Sequence, residues 1–157
     1  MIFATTGTQL PFPRLVRALD AWAARMPEER VVAQIGPDPG RYPHLELHAT
    51  LPPDRFDALF SAARVVVAHA GIGSILAARQ YDRPLILVPR RADLGEHRND
   101  HQAATARRLG ARAGLHVVWD EADLGAALAS PPPPPTTGDG ASLAALHAHL
   151  AGLIDGA

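Results

Sequence analysis

The sequence predicts an α/β protein with a doubly wound parallel sheet, and three observations carry that reading. Short β-branched runs alternate with segments whose apolar residues recur every three or four positions. The run from Arg64 to His69 contains three consecutive valines, as expected of a strand covered on both faces. Two of the runs pass into glycine turns, at Gly7 and at Gly71, which suits the step from strand to helix in an open sheet. A chain of 157 residues, 47% hydrophobic and 20% charged, is large enough for one domain with a real core.

Taken in order, Met1 to Thr6 is a short apolar strand that turns at Thr6-Gly7-Thr8-Gln9. Pro11 and Pro13 open a helix whose apolar face is Phe12, Leu15, Val16, Leu19, Trp22 and Met26, and Pro27 ends it. Arg30 to Gly36 is a second strand, and His44 to Ala49 alternates as a third, a candidate edge. Pro53 starts a short helix that buries Phe56, Leu59 and Phe60. After the valine strand comes a helix from Ser74 to Tyr81, stopped by Asp82 and Pro84. Leu85 to Val88 is the next strand. A helix follows over Asn99 to Leu109, with Gly110 as its stop, then a strand over Leu115 to Trp119. Asp120 caps a helix running to about Ser130, with Asp123 at its third position. The division expected is a domain over 1–130, a proline-rich spacer over 131–141 and an amphipathic helix over 142–157, starting at Ser142 and running through Ile154.

Composition removes several chemistries. There is no cysteine, hence no disulfide, thiolate nucleophile or Cys-based zinc site. All 15 basic residues are arginine, so neither a Walker A lysine nor a Schiff base is available. A net charge of −1 gives no general reason to expect nucleic acid or an anionic membrane as ligand. The opening MIFATTGTQL lacks a basic n-region and runs straight into a strand, so no signal peptide is expected. No apolar run approaches a membrane span, and the expected compartment is the cytoplasm.

The chemistry concentrates between His69 and Gln102. Gly71-x-Gly73-Ser74 lacks the third glycine of a dinucleotide fingerprint, because Leu76 stands there. A tight turn needs glycine for backbone reasons alone. The second glycine turn at Gly7, on the same edge of the sheet, favours a phosphate site built on helix N-terminal amides. The loop from Arg90 to Gln102 has Leu94 as almost its sole apolar residue. A solvated loop could look the same, and Asn99 with Gln102 has the spacing of a capping box. Against that, Arg90, Glu96, His97, Asn99, His101 and Gln102 fall where open α/β sheets bind ligands. Glu96 could accept hydrogen bonds from a ribose or sugar diol, and the others offer directional partners for hydroxyls. His69, His97 and His101 could be read as metal ligands, but the order of H-E-x-x-H is absent and neighbouring arginines repel a cation. With no Asp-x-Asp pair, a diphosphate would be neutralised by helix dipoles and arginines.

The opening MIFATTGTQLPFPRLVRALD and the stretch HAGIGSILAARQYDRPLILVPRRADLGEHRNDHQAATA resemble the C-terminal, donor-binding half of family 28 glycosyltransferases, over roughly residues 1–120. The likeness is greatest to small stand-alone subunits that act in exopolysaccharide or dolichol-linked oligosaccharide synthesis beside a membrane-associated acceptor subunit. The resemblance implies one half of a GT-B enzyme, a Rossmann-like domain that binds a UDP-sugar without metal or other cofactor. It implies an inverting hexosyltransferase whose acceptor is lipid-linked. It places Gly7 and Thr8 in the first glycine loop and Ala70, Gly71, Gly73 and Ser74 beside the diphosphate. Glu96, His97, Asn99, His101 and Gln102 then surround ribose or donor sugar, with Thr50 and Leu51 near the base. His69 and Arg90 are taken as further substrate-binding residues, His69 reading as a hydrogen-bonded turn histidine rather than a catalyst. No catalytic residue is expected on this chain; the general base belongs to the partner, through which alone the chain meets the membrane. The helix SILAARQYD departs from the family, with Ala77 where relatives carry a ribose-binding glutamate and Asp82 where glycine is usual. The ribose role is thus absent or passes to Glu96. A non-catalytic nucleotide-binding module is the alternative reading.

Overall fold

The computed structural model describes residues 1–110 and 115–135, without the side chains of 109 and 110. Its six strands are β1 (Ile2–Thr5), β2 (Val31–Gln34), β3 (Glu46–His48), β4 (Val65–His69), β5 (Leu85–Val88) and β6 (Leu115–Val117). They form one sheet in the order β3-β2-β1-β4-β5-β6, with every pair parallel. The expected doubly wound architecture is present, with β3 as an edge. Chain progression reverses between β1 and β4, so the crevice that receives ligands in such sheets opens at the carboxyl ends of these two strands.

The helices are α1 (Pro13–Arg25), α2 (Pro53–Ala62), α3 (Ile72–Gln80), α4 (His101–Gly110) and α5 (Leu124–Ala129). Successive strand residues point to opposite faces, and each face has its own core. Ile2, Ala4, Val65, Val67, Ile86 and Val88 meet Phe12, Leu15, Leu19 and Trp22 of the α1 segment and Leu124 and Leu128 of α5. Phe3, Val66, Ala68, Leu85 and Leu87 meet Leu59 and Phe60 of α2 and Ile75 and Ala78 of α3. The ring of Phe3 stands edge-on to Phe56 at 5.2 Å, a favoured aromatic geometry. Burial on this scale, about 1.5–3 kcal/mol for each large apolar side chain, is what fixes the strand ends that carry the site.

Several boundaries differ from expectation for local reasons. Helix α4 starts at His101 and the capping box does not form. Asn99 Oδ1 accepts from the His101 amide at 3.2 Å, whereas the Gln102 side chain turns to the Arg90 amide. Strand β6 stops at Val117 and leaves Trp119 43% exposed, with Arg107 against its ring. The helix expected from Asp120 begins as a 3-10 turn over Glu121–Asp123, with Asp120 Oδ1 accepting from the Ala122 amide at 2.9 Å, and becomes α5 only at Leu124. Helix α3 ends in a Schellman motif: the Arg83 amide donates to Ala78 O at 2.9 Å, with Asp82 between them at φ 52°. That left-handed position explains why glycine would suit residue 82. The helix expected over 142–157 and the spacer beyond Pro135 lie outside the described residues. Among the described residues no helix is long and apolar enough to cross a membrane.

Candidate functional site

A pocket of about 290 Å³ opens at the switch point, lined by Thr6, Gly7, Thr8, Gln9, Leu10, His69, Arg90, His97 and Gln102. Three segments converge there: the β1–α1 turn, the end of β4 and the β5–α4 loop. Six expected site residues come together in it: Gly7, Thr8, His69, Arg90, His97 and Gln102. No carboxylate is among its described lining residues, so an anion entering it meets no like charge from them.

The imidazole of His69 sits between the two glycine turns. Its Nδ1 is 3.4 Å from Thr5 O, which orients the ring. A Cβ on Gly7 would lie 3.2 Å from His69 Cε1, and one on Gly71 would collide with the ring. Both glycines therefore make room for the histidine, and Gly7 in addition adopts φ 80°. Burial holds the His69 pKa below the ordinary histidine value, opposed by the Thr5 carbonyl and reinforced by the nearby Arg90 and His97. The ring is thus neutral at pH 7.

Ala70, Gly71, Gly73 and Ser74 stand beside the pocket rather than in its lining. The Gly71 amide donates to His69 O at 2.7 Å and is not free for a ligand. Gly71 caps α3 without any side-chain bond, so the amides of Ile72, Gly73 and Ser74 have no capping partner. These amides and the helix dipole form the positive end expected for a phosphate. A Cβ at Gly73 would meet nothing within 4 Å, which leaves open space next to those amides.

Two expected site residues are already engaged within the chain. Arg90 is only 2% exposed and its guanidinium is not free for a diphosphate. Nη2 donates to Thr6 O at 2.8 Å and Leu10 O at 2.7 Å; Nη1 donates to Pro11 O at 2.6 Å and Glu96 O at 3.4 Å. Burial lowers its pKa, with Glu96 opposing, yet a guanidinium stays protonated in proteins. Glu96 does not present a free carboxylate either. Oε1 accepts from Arg14 Nε at 2.7 Å, and Oε2 accepts from Arg14 Nη2 and the Arg91 amide, both at 2.9 Å. Glu96 holds its own loop closed and is outside the pocket lining.

Gln102 lines the pocket with its Oε1 already engaged: it accepts from the Arg90 amide at 3.1 Å, so the donor left to a ligand is Nε2. His97 Nδ1 lies 3.1 Å from Asn99 Oδ1, so Asn99 acts on the site through His97 and the start of α4. His101 is exposed and lies outside the lining. Thr50 and Leu51 also lie outside it, the Leu51 amide donating to Gln34 Oε1 at 3.0 Å. Among the described residues no group of three or more His, Asp or Glu is placed to hold a metal ion.

Sequence reasoning missed Arg14 and Gln34. Arg14 is 8% exposed, and the hydrogen bonds it donates to Glu96 raise its pKa against the opposing effect of burial, with Glu121 adding to the rise. A basic residue in the first turn of a helix opposes the macrodipole, and that was the available signal. Gln34 interrupts an apolar strand; its Nε2 donates to Thr5 Oγ1 at 3.3 Å, and the same hydroxyl accepts from the Gly7 amide at 3.3 Å. A lone amide in a buried run marks such a strut.

The fold is shared with solved glycosyltransferases. The glycotransferase of kitacinnamycin matches at 22% identity and TM-score 0.57, over 81% of this chain and 33% of that one. CalG4, the calicheamicin glycosyltransferase, matches at 21% identity and TM-score 0.53, over 82% and 32%. This chain thus spans about a third of the length of these two proteins. The solution structure of ALG13 matches at 19% identity and TM-score 0.61, over 92% of this chain and 93% of that one. No curated protein sequence matches the chain. The model of the glycosyltransferase family 28 C-terminal domain matches residues 1–130, all six strands included. The chain belongs to that family, and its architecture is that of one half of a GT-B glycosyltransferase.

Proposed function

We propose that the chain is the donor-binding part of an inverting, metal-independent glycosyltransferase that moves a hexosyl group from a UDP-sugar to a lipid-linked acceptor. The observation that carries this reading is a crevice flanked by two kinds of donor and one acceptor, with no acidic side chain among its described lining residues. The donors are the uncapped amides of Ile72, Gly73 and Ser74 and the Gln102 amide; the acceptor is Nε2 of the neutral His69 ring, whose Nδ1–H is given to Thr5 O. Such a set suits a diphosphate joined to a hydroxylated sugar.

In the reaction, the acceptor hydroxyl oxygen bonds to the anomeric carbon as the bond from that carbon to the β-phosphate oxygen breaks. UDP leaves with the bonding electron pair. The α3 amides stabilise the charge that develops on the departing phosphate. The hydroxyl proton passes to a general base on an acceptor-binding partner, a reading supported by the absence of a carboxylate among the described lining residues of this chain. The match to ALG13, over 92% of this chain and 93% of that one, supports reading a fold of this extent as a subunit distinct from its acceptor-binding partner. Membrane contact is made through the partner, and polysaccharide synthesis is the setting.

The test is transfer measured with the purified chain alone and with an acceptor-binding subunit added. The chain alone should bind UDP and transfer little, while the pair turns over. Full turnover by the chain alone would overturn the two-subunit reading. UDP binding without transfer, whatever acceptor subunit is supplied, would favour a nucleotide-binding module.

A further inference from the structure

Arg90 occupies an unusual position for a cation beside an anion site. Four of its five guanidinium N–H groups are engaged by backbone carbonyls, three of them from the β1–α1 turn. The guanidinium lies over the ring of Phe12 at 4.6 Å, and Arg14 approaches the same ring at 5.2 Å. The Arg90 amide is held by Gln102. One residue therefore ties both walls of the pocket, the Thr6–Pro11 turn through its side chain and the start of α4 through its backbone.

Electrostatics give this tie a second consequence. Carbonyl oxygens of Thr6, Leu10 and Pro11 all turn towards one place, and without a cation that wall would repel a diphosphate. Lysine could supply the charge but not the planar fork that spans several carbonyls at once.

We propose that Arg90 is a positioning residue: it sets the separation of the Thr6–Pro11 turn from Gln102 and masks the carbonyl charge of that turn, without contacting the ligand. This rests on the nucleotide-sugar reading of the pocket and adds how the pocket is kept in shape. A direct phosphate ligand and a positioning residue make opposite demands. The first acts on phosphate alone, whereas the second acts on everything the turn and Gln102 touch together.

The test compares Arg90→Lys with the unaltered chain by NMR titration of UDP and of uridine, which lacks phosphate, and by amide hydrogen exchange. Positioning predicts that both ligands weaken by a similar factor, about tenfold or more, as expected when a site is misplaced rather than discharged. It also predicts faster exchange at Gly7 to Leu10 with sheet amides unchanged. Weakened UDP with unchanged uridine and unchanged exchange would make Arg90 a direct ligand and overturn the proposal. If Arg90→Lys does not fold, Phe12→Leu removes the ring beneath the guanidinium and should give the same pattern at smaller amplitude. If the unaltered chain binds neither probe, the nucleotide-sugar reading fails. The exchange result then decides alone, and an unchanged turn overturns positioning.

Discussion

Arg14 and Glu96, 82 residues apart in sequence, form a two-bond fork, with Nε–Oε1 at 2.7 Å and Nη2–Oε2 at 2.9 Å. Both side chains are 9% exposed, and the remaining Arg14 donor reaches Glu121 at 3.1 Å. The fork fastens the β5–α4 loop to the first turn of α1. Breaking one partner of a buried pair strands the other, at a cost of about 3 kcal/mol. Glu96→Ala should therefore lower stability by about 2–4 kcal/mol in urea unfolding, on the same basis. A change below 1 kcal/mol would show that the fork is incidental.

The fork also marks the limit of what could be read from the sequence. Strand and helix identities were legible because burial on two faces leaves an unmistakable pattern, as in Val65 to Ala68 and Leu85 to Val88. The sheet edge that carries the candidate site was legible because Gly7 and Gly71 end strands that are neighbours at the switch point. Side-chain roles were not. Arg90 and Glu96 have the chemistry of ligands, and only the return of the chain over some 80 residues brings Pro11 O and Arg14 to occupy them. Periodicity carries no information about such long-range pairing of polar groups. Cap positions erred for a related reason, since Gln102 bonds Arg90 rather than the start of its own helix.

Gly73→Ala separates fold from ligand binding. The added methyl meets no protein atom within 4 Å, and alanine is the better helix former by up to ~1 kcal/mol. The melting temperature should hold or rise slightly. UDP binding should weaken, because the methyl occupies the space next to the α3 amides. Equal affinity would remove the diphosphate from that helix end.

Gly71→Ala should behave in the opposite way. Its methyl collides with the His69 ring, so the histidine must move or the turn must open. A loss of about 1–3 kcal/mol, as for overpacking elsewhere, should accompany the loss of UDP binding. Pairing it with His69→Ala should relieve most of the stability loss. A variant as stable as the parent would place the His69 ring elsewhere.

Asp82→Gly should stabilise the chain. Asp82 adopts φ 52° at the end of α3, and a non-glycine residue there costs roughly 1–2 kcal/mol, partly offset by the greater entropy that glycine loses. Removing an acid from a helix C-terminus adds a smaller gain. An increase of about 0.5–1 kcal/mol in thermal or urea unfolding is expected. A loss would indicate that the carboxylate has a role of its own.

The depressed pKa of His69 makes stability depend on pH in one direction. Below the ordinary histidine value of 6.5 the unfolded chain takes up a proton that the folded chain resists, so stability falls as pH drops from 6.5 towards the folded value. Above pH 6.5 this contribution is constant. His69→Asn should flatten that part of the profile when urea midpoints are compared between pH 5 and 8, after the shared carboxylate and histidine effects are subtracted. An unchanged slope would place the ring in water.

The central claim is that this pocket holds the UDP of a sugar donor, and backbone amide NMR during a UDP titration tests it most directly. The account predicts that the largest shifts fall on Gly7, Thr8, Gly73, Ser74 and Gln102, with Thr50 and Leu51 shifting through the base and α5 silent. Saturating shifts elsewhere on the chain, or none at millimolar UDP, would contradict it.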